Sequence, residues 1–181
     1  MEEFVDILDA QGLKTGQTCS KKLAHRYGYI HGTVHIWFYT IAKELLLQKR
    51  AITKEAFPGL WDTSVAGHIS AGETILEAAV REVEEEIGLS IEPSSLRNIG
   101  VSQQRVEHSS DFIDAEFNHL FICALTIPIE KLQRQIEEVD ELKLISITNF
   151  QQQLTNQEAL KLYVPHTLAY YEHIINTISS I

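Results

Sequence analysis

The chain is 181 residues long, the size of one globular domain, and its two cysteines, Cys19 and Cys123, offer neither a disulfide framework nor a multi-cysteine zinc site. Its 25 acidic and 15 basic residues leave a formal charge of −10, which argues against nucleic acid or an anionic membrane as main partner, since those surfaces draw on clustered Lys and Arg. Apolar residues make up 44%, ordinary for a folded protein, but no run is long enough to span a bilayer, and the acidic start Met1-Glu2-Glu3-Phe4 lacks signal-peptide layout, so a soluble cytoplasmic protein is expected.

In chain order, Phe4 to Asp9 alternates apolar and polar residues before Gln11-Gly12, a strand and turn opening a hairpin. Ile30 to Thr40, rich in β-branched and aromatic residues, predicts a strand, and Leu45 to Arg50 its partner across Ala42-Lys43-Glu44. Ala51 to Gly59 reads as a loop and Trp61 to Ile69 as extended. The period changes at Glu73. Leu76, Ala79, Val80, Val83 and Ile87 form the stripe of an amphipathic helix, with Gly88 where a C-cap belongs. Extended segments follow at Asn98–Val106 and Phe112–Thr126, a last strand at Leu142–Ile147, and a closing helix over 164–181 carrying Val164, Leu168, Tyr171, Ile175 and Ile178. The pattern predicts an α+β fold, an α/β/α sandwich with a mixed central sheet in a single domain over 1–181, with an N-terminal hairpin extension over 1–29.

The helix after Glu73 carries the chemistry. Glu73 to Glu86 holds six glutamates against Arg81 alone. At about 100° per residue, Glu82, Glu85 and Glu86 fall along one edge of the apolar stripe, whereas Glu77 and Glu84 fall on the other and read as solvated charges. Three converging carboxylates repel one another, so at least one is expected to have a raised pKa. A hard divalent cation with oxygen ligands, Mg²⁺ or Mn²⁺, relieves that repulsion, and such ions commonly act on phosphates.

Gly67-His68-Ile69-Ser70-Ala71-Gly72-Glu73, seven further residues, and Arg81-Glu82-Val83-Glu84-Glu85-Glu86-Ile87-Gly88-Leu89 match the pattern G-x5-E-x7-R-E-U-x-E-E-x-G-U, with U apolar. All nine defined positions of this 23-residue stretch agree, and it resembles the Nudix box. The resemblance implies a Nudix fold and Mg²⁺-dependent hydrolysis of a diphosphate in a small molecule. It implies Glu82, Glu85 and Glu86 as metal ligands, helped by a backbone carbonyl of Ala66 or Gly67. Glu73 and Arg81 would join loop to helix, and Gly67, Gly72 and Gly88 would have structural parts.

The stretch Arg50 to His68 is also similar to type I isopentenyl-diphosphate isomerases and their Nudix hydrolase-like relatives, over roughly residues 4 to 150. That similarity implies metal-binding histidines at His25, His31 and His68, an acidic pair at Asp114 and Glu116, and diphosphate contacts from Arg50 and Lys54. The isomerases place a catalytic cysteine where this chain has Ala66, so isomerisation is the disfavoured alternative, and a non-catalytic nucleotide-binding module is another. Glu82, Glu85 and Glu116 are the candidate catalytic carboxylates, with Glu85 or Glu116 as base. The substrate stays open between a nucleoside di- or triphosphate, for which Trp37, Trp61 or Phe112 could stack on a base, and a prenyl diphosphate. Between Leu89 and Ile127 there is no tyrosine and only Pro93, which counts against dinucleoside polyphosphates and ADP-ribose. A homodimer through the closing helix or the hairpin is one further expectation.

Overall fold

A computed structural model describes residues 2–181; Met1, at the edge of the expected domain, lies outside them. Strands β1 (Phe4–Leu8) and β2 (Lys14–Ser20) form the expected hairpin. The Asp9 carboxylate shapes its turn by accepting the backbone N–H groups of Gln11 and Leu13, each at 2.9 Å. Helix α1 (Lys21–Tyr27) follows and ends at left-handed Gly28. It has seven residues and buries only Ala24 and His25, too little apolar surface to leave a helical period in the sequence.

A seven-stranded sheet makes the body: β3 (His31–Tyr39), β4 (Glu44–Arg50), β5 (Trp61–Asp62), β6 (Val65–His68), β7 (Arg97–Ser109), β8 (Phe112–Ala124) and β9 (Val139–Ser146). The order is β5-β4-β3-β8-β7, with β6 also on β3 and β9 also on β4. β3 and β8 run parallel through nine residue pairs from His31↔Glu116 to Tyr39↔Ala124, and the other pairings are antiparallel.

The expected β3–β4 hairpin is corrected in one respect. The two strands pair only at Tyr39↔Leu45, and then β6 takes the edge of β3. Two buried hydroxyls hold the strands apart. Ser64 Oγ accepts from Phe38 N–H at 2.8 Å and donates to Leu46 C=O at 2.5 Å, while Thr63 Oγ1 donates to Ile36 C=O at 2.9 Å. They satisfy backbone groups that the parting strands would otherwise orphan.

Helix α2 (Ile75–Ile87) covers one face, packing Ala78, Ala79, Val83 and Ile87 onto Val34, Ile36, Phe38 and Phe121. Thr74 and Glu77 close a reciprocal capping box at its start, and Gly88, at φ 64°, ends it. The other face holds Trp37, Leu45, Leu47 and Ile122 under α3 (Ile147–Thr155) and α5 (Leu168–Ser179). A short helix α4 (Gln157–Leu160) links those two. The closing helix starts at Leu168, not at 164. Pro165 keeps Val164 extended, Val164 N–H bonds Trp61 C=O at 2.9 Å, and Thr167 caps the helix. Leu168 is exposed, and the buried face is Tyr170, Tyr171, Ile174, Ile175 and Ile178. Among the described residues no helix is long and apolar enough to cross a membrane.

Candidate active site

A cavity of about 860 Å³ opens where β6, the C-terminal half of α2, α1 and the loop after β4 meet. Its first wall is the loop and helix singled out in the sequence. Arg81 is the hub. Its Nε and Nη2 bind both oxygens of Glu73 at 2.8 and 2.9 Å, Nη2 also donates to His68 C=O at 2.9 Å, and Nη1 reaches Glu82 at 2.8 Å and Glu85 at 2.9 Å. The hydrogen bonds to Glu73 lead in raising the Arg81 pKa. Gly67 lies against Glu82 so closely that a Cβ there would stand 1.9 Å from the carboxylate carbon.

Glu86 is 4% exposed and, among the described residues, has no cation in contact. One of its oxygens accepts from Gln48 Nε2 at 3.1 Å and from Ala66 N–H at 3.2 Å. Burial, then the Glu82 charge, pushes its pKa up to about 8. Glu82 is also raised, again by burial first. A raised carboxylate was expected here from mutual repulsion, and the structure makes desolvation the leading cause. Glu85, with half of its side chain exposed, stands at the rim.

The second wall gathers residues far apart in sequence. Alternation along β3 and β8 sends His31, Thr33 and His35 to the same face as Asp114, Glu116 and Asn118. His25 comes from α1 and His68 from β6. One donor atom each from His25, His31, His68 and Glu116 lie within 4.8 Å of one another. His25 Nε2 is 3.3 Å from His68 Nε2, and His31 Nε2 is 3.9 Å from Glu116. His31 Nδ1 is spent on Tyr29 C=O at 2.9 Å, and its buried Nε2 has no hydrogen-bond partner among the described residues. Burial lowers the pKa of all three histidines and raises that of Glu116, whose neighbour Asp114 adds to the rise. Neutral imidazoles converging with an orphaned nitrogen fit a divalent cation with N and O ligands.

At the inner end, Arg50 donates to Ala56 C=O at 3.0 Å and to Asp62 at 3.2 Å. His166 bridges Asp62 at 3.1 Å and Gln104 at 3.2 Å. Burial alone would raise the Asp62 pKa, but the hydrogen bond from His166 and the Arg50 charge hold it well below the usual carboxylate range. Lys54 lines the cavity paired with Glu138.

Trp61 and Trp37 do not reach this cavity, whereas Phe112 does. Trp61 lies under Lys143, whose Nζ is 3.7 Å from the ring centroid, and Trp37 is wholly buried under α5. His35, Asp62, Gln104 and His166 were not anticipated. The alternation His31-Thr33-His35 held a signal for the first, while His166 comes into place only through the final chain crossing.

The fold and this pocket bring an acidic helix and its preceding loop to one wall of a single cavity. A sequence model of the NUDIX domain matches residues 30–165, and the chain belongs to the Nudix hydrolase family. It is 38% identical over 169 residues to Nudix hydrolase 3 of Arabidopsis thaliana, covering 91% of this chain but only 22% of that protein. It is 33% identical to an uncharacterized Nudix hydrolase of Clostridium acetobutylicum, over 98% of this chain and 97% of the relative. An isopentenyl-diphosphate Delta-isomerase of Streptomyces griseus is 34% identical over 79% of this chain and 71% of its own. In fold, the chain is similar to the DR0079 structure from Deinococcus radiodurans, with TM-score 0.72 at 17% identity over 97% of this chain and 99% of that one.

Proposed function

We propose that this protein is a Mg²⁺- or Mn²⁺-dependent hydrolase cleaving the diphosphate bond of a small molecule. The observation that carries this reading is the pair Glu82 and Glu86, both buried at the cavity with raised pKa values. Glu82, Glu85, Glu86 and a carbonyl of Ala66 or Gly67 form an all-oxygen donor set suited to Mg²⁺. His25, His31, His68 and Glu116 would hold a second, softer ion such as Mn²⁺. When bound, such ions neutralise phosphate charge and lower the pKa of a coordinated water.

The chain's own groups do the rest. Arg50, held by Asp62 and Ala56, turns its remaining N–H groups to a phosphate. Lys54 adds a second cation by exchanging Glu138 for the substrate. Glu85 or Glu116 takes the proton of the attacking water. A new P–O bond forms, the bridging P–O bond breaks, and a shorter phosphate ester leaves with phosphate.

Phosphate release from nucleoside di- and triphosphates and prenyl diphosphates, followed by ³¹P NMR with Mg²⁺, tests this. Glu85→Gln and Glu86→Gln should each lose about a hundredfold or more of turnover with the fold intact. Full activity in either sinks the assignment. The His25–Glu116 cluster and the isomerase similarity favour a second reading, double-bond isomerisation. That reaction needs an acid where Ala66 offers only a methyl group, and the same NMR experiment separates isomer from monophosphate.

A further inference from the structure

The inner end of the cavity holds a hydrogen-bonding device whose polarity can be worked out. Trp37 Nε1–H can only donate, and it donates to the Tyr170 hydroxyl at 3.0 Å. That hydroxyl is buried and must place its own proton. Among the described residues the acceptor within reach is His35 Nδ1, at 2.8 Å. His35 is therefore the Nε2–H tautomer. Burial keeps the ring uncharged, with its pKa pushed down to about 3. Its Nε2–H has no protein partner among the described residues, and His35 lines the cavity.

Beside it, Gln104 spends one end of its amide on His166 Nδ1. The other end has no protein partner among the described residues, and Gln104 lines the same cavity. His166 itself is fixed through Asp62. Two unspent polar groups thus face the space next to Arg50. A hydrocarbon seated there would strand both, whereas a hydroxyl or carbonyl would satisfy them.

We propose that His35 and Gln104 are specificity-determining residues that select a diphosphate whose organic group carries a hydroxyl or carbonyl oxygen, against one with a plain hydrocarbon chain. Tyr170 is the positioning residue that fixes the His35 tautomer. The proposal rests on the hydrolase reading for where the diphosphate sits, but its test does not need turnover.

Methylene-bridged, non-hydrolysable analogues of ribose 5-diphosphate and pentyl diphosphate share a five-carbon frame and differ in hydroxyls. Calorimetric titration in Mg²⁺ should show the ribose analogue binding at least about tenfold tighter. His35→Phe and Gln104→Leu should each erase most of that difference. His35→Gln, which restores an N–H donor, should recover part of it, and Tyr170→Phe should weaken ribose binding with the ring retained. Thermal unfolding checks each fold, and Gln104→Leu, at a position that is only partly buried, serves if His35→Phe fails to fold. Equal affinities in the parent protein overturn the proposal, as do equal losses for both ligands in the variants, which would mark a contact to the shared diphosphate. Phosphate release from the ordinary diphosphates is measured in parallel. Selective binding without release retires the hydrolase reading and leaves the recognition pair standing; release without selectivity does the reverse.

Discussion

Glu86→Gln should make the metal-free protein more stable while abolishing its stabilisation by divalent ions. The Glu86 carboxyl lies in a fully buried setting that pushes its pKa up to about 8, from an ordinary 4.5. A carboxyl raised in the fold contributes most below its unfolded value. That contribution is lost as pH climbs from 4.5 towards 8, because the unfolded chain ionises freely and the folded one resists. At about 1.36 kcal/mol per pH unit, the loss by pH 7 is about 3 kcal/mol. Glutamine mimics the protonated acid. Its carbonyl still accepts from Gln48 Nε2 and Ala66 N–H, the partners that Glu86 now has, and its NH₂ stands where the acid proton was. In EDTA, urea unfolding from pH 5 to 8 should show the parent losing stability across the range and the variant losing less. At pH 7 the variant should lead by about 2–3 kcal/mol. Adding Mg²⁺ should raise the parent and leave the variant nearly unmoved. A variant less stable at pH 7, or one with the parent's full pH slope, would refute the assignment of Glu86 as a buried, uncompensated acid.

Gly67→Ala would put a methyl 1.9 Å from the Glu82 carboxylate carbon; strain of about 1–3 kcal/mol is expected, with turnover down about a hundredfold, and a variant with parental kinetics and melting would refute the close approach. His35, lowered to about 3 by burial, is neutral in the fold and takes a proton in the unfolded chain below about pH 6.5. Its stabilising contribution is therefore full above that pH and falls by about 2 kcal/mol at pH 5. Chemical denaturation of His35→Phe should show an acid limb shallower by that amount, and identical limbs would count against a buried neutral ring.

How far the sequence could be read follows from how local each signal was. The stripe of α2, its Gly88 cap and the carboxylates along one edge lie within a few helical turns, so spacing exposes them directly. The layered architecture was legible too, because two-residue and 3.6-residue periods are local. Pairing was not. Nothing near Leu45 says that β4 leaves β3 after one pair, since the cause is Thr63 and Ser64, some eighteen residues on, inserting hydroxyls between the strands. α3 went unread because β9 turns into it at Ser146 without a loop. The histidine cluster draws on α1, β3, β6 and β8, and only resemblance suggested it. Trp61 misled for a general reason: an aromatic ring serves a base or a lysine equally well, and the partner here is Lys143.

The net charge of −10 acquires a local meaning once the glutamates of the acidic stretch are followed one by one. Glu73, Glu82 and Glu85 share Arg81. Glu77 closes the capping box, and Glu84 faces solvent. That leaves Glu86, buried and, among the described residues, without a contacting cation. Charge spread over a surface would repel any phosphate, and screening would remove most of that effect beyond about 10 Å at ordinary ionic strength. A buried carboxylate is screened far less, so it discriminates by charge density. A compact dication would relieve it more than a flexible lysine could, and Lys54 makes its ion pair with Glu138 rather than with Glu86. With such an ion bound, its charge and Arg50 together would offset that of a phosphate ligand. Under the proposed function acidity and phosphate chemistry would not conflict: the carboxylates would select the ion, and the ion, with one held guanidinium, would admit the diphosphate.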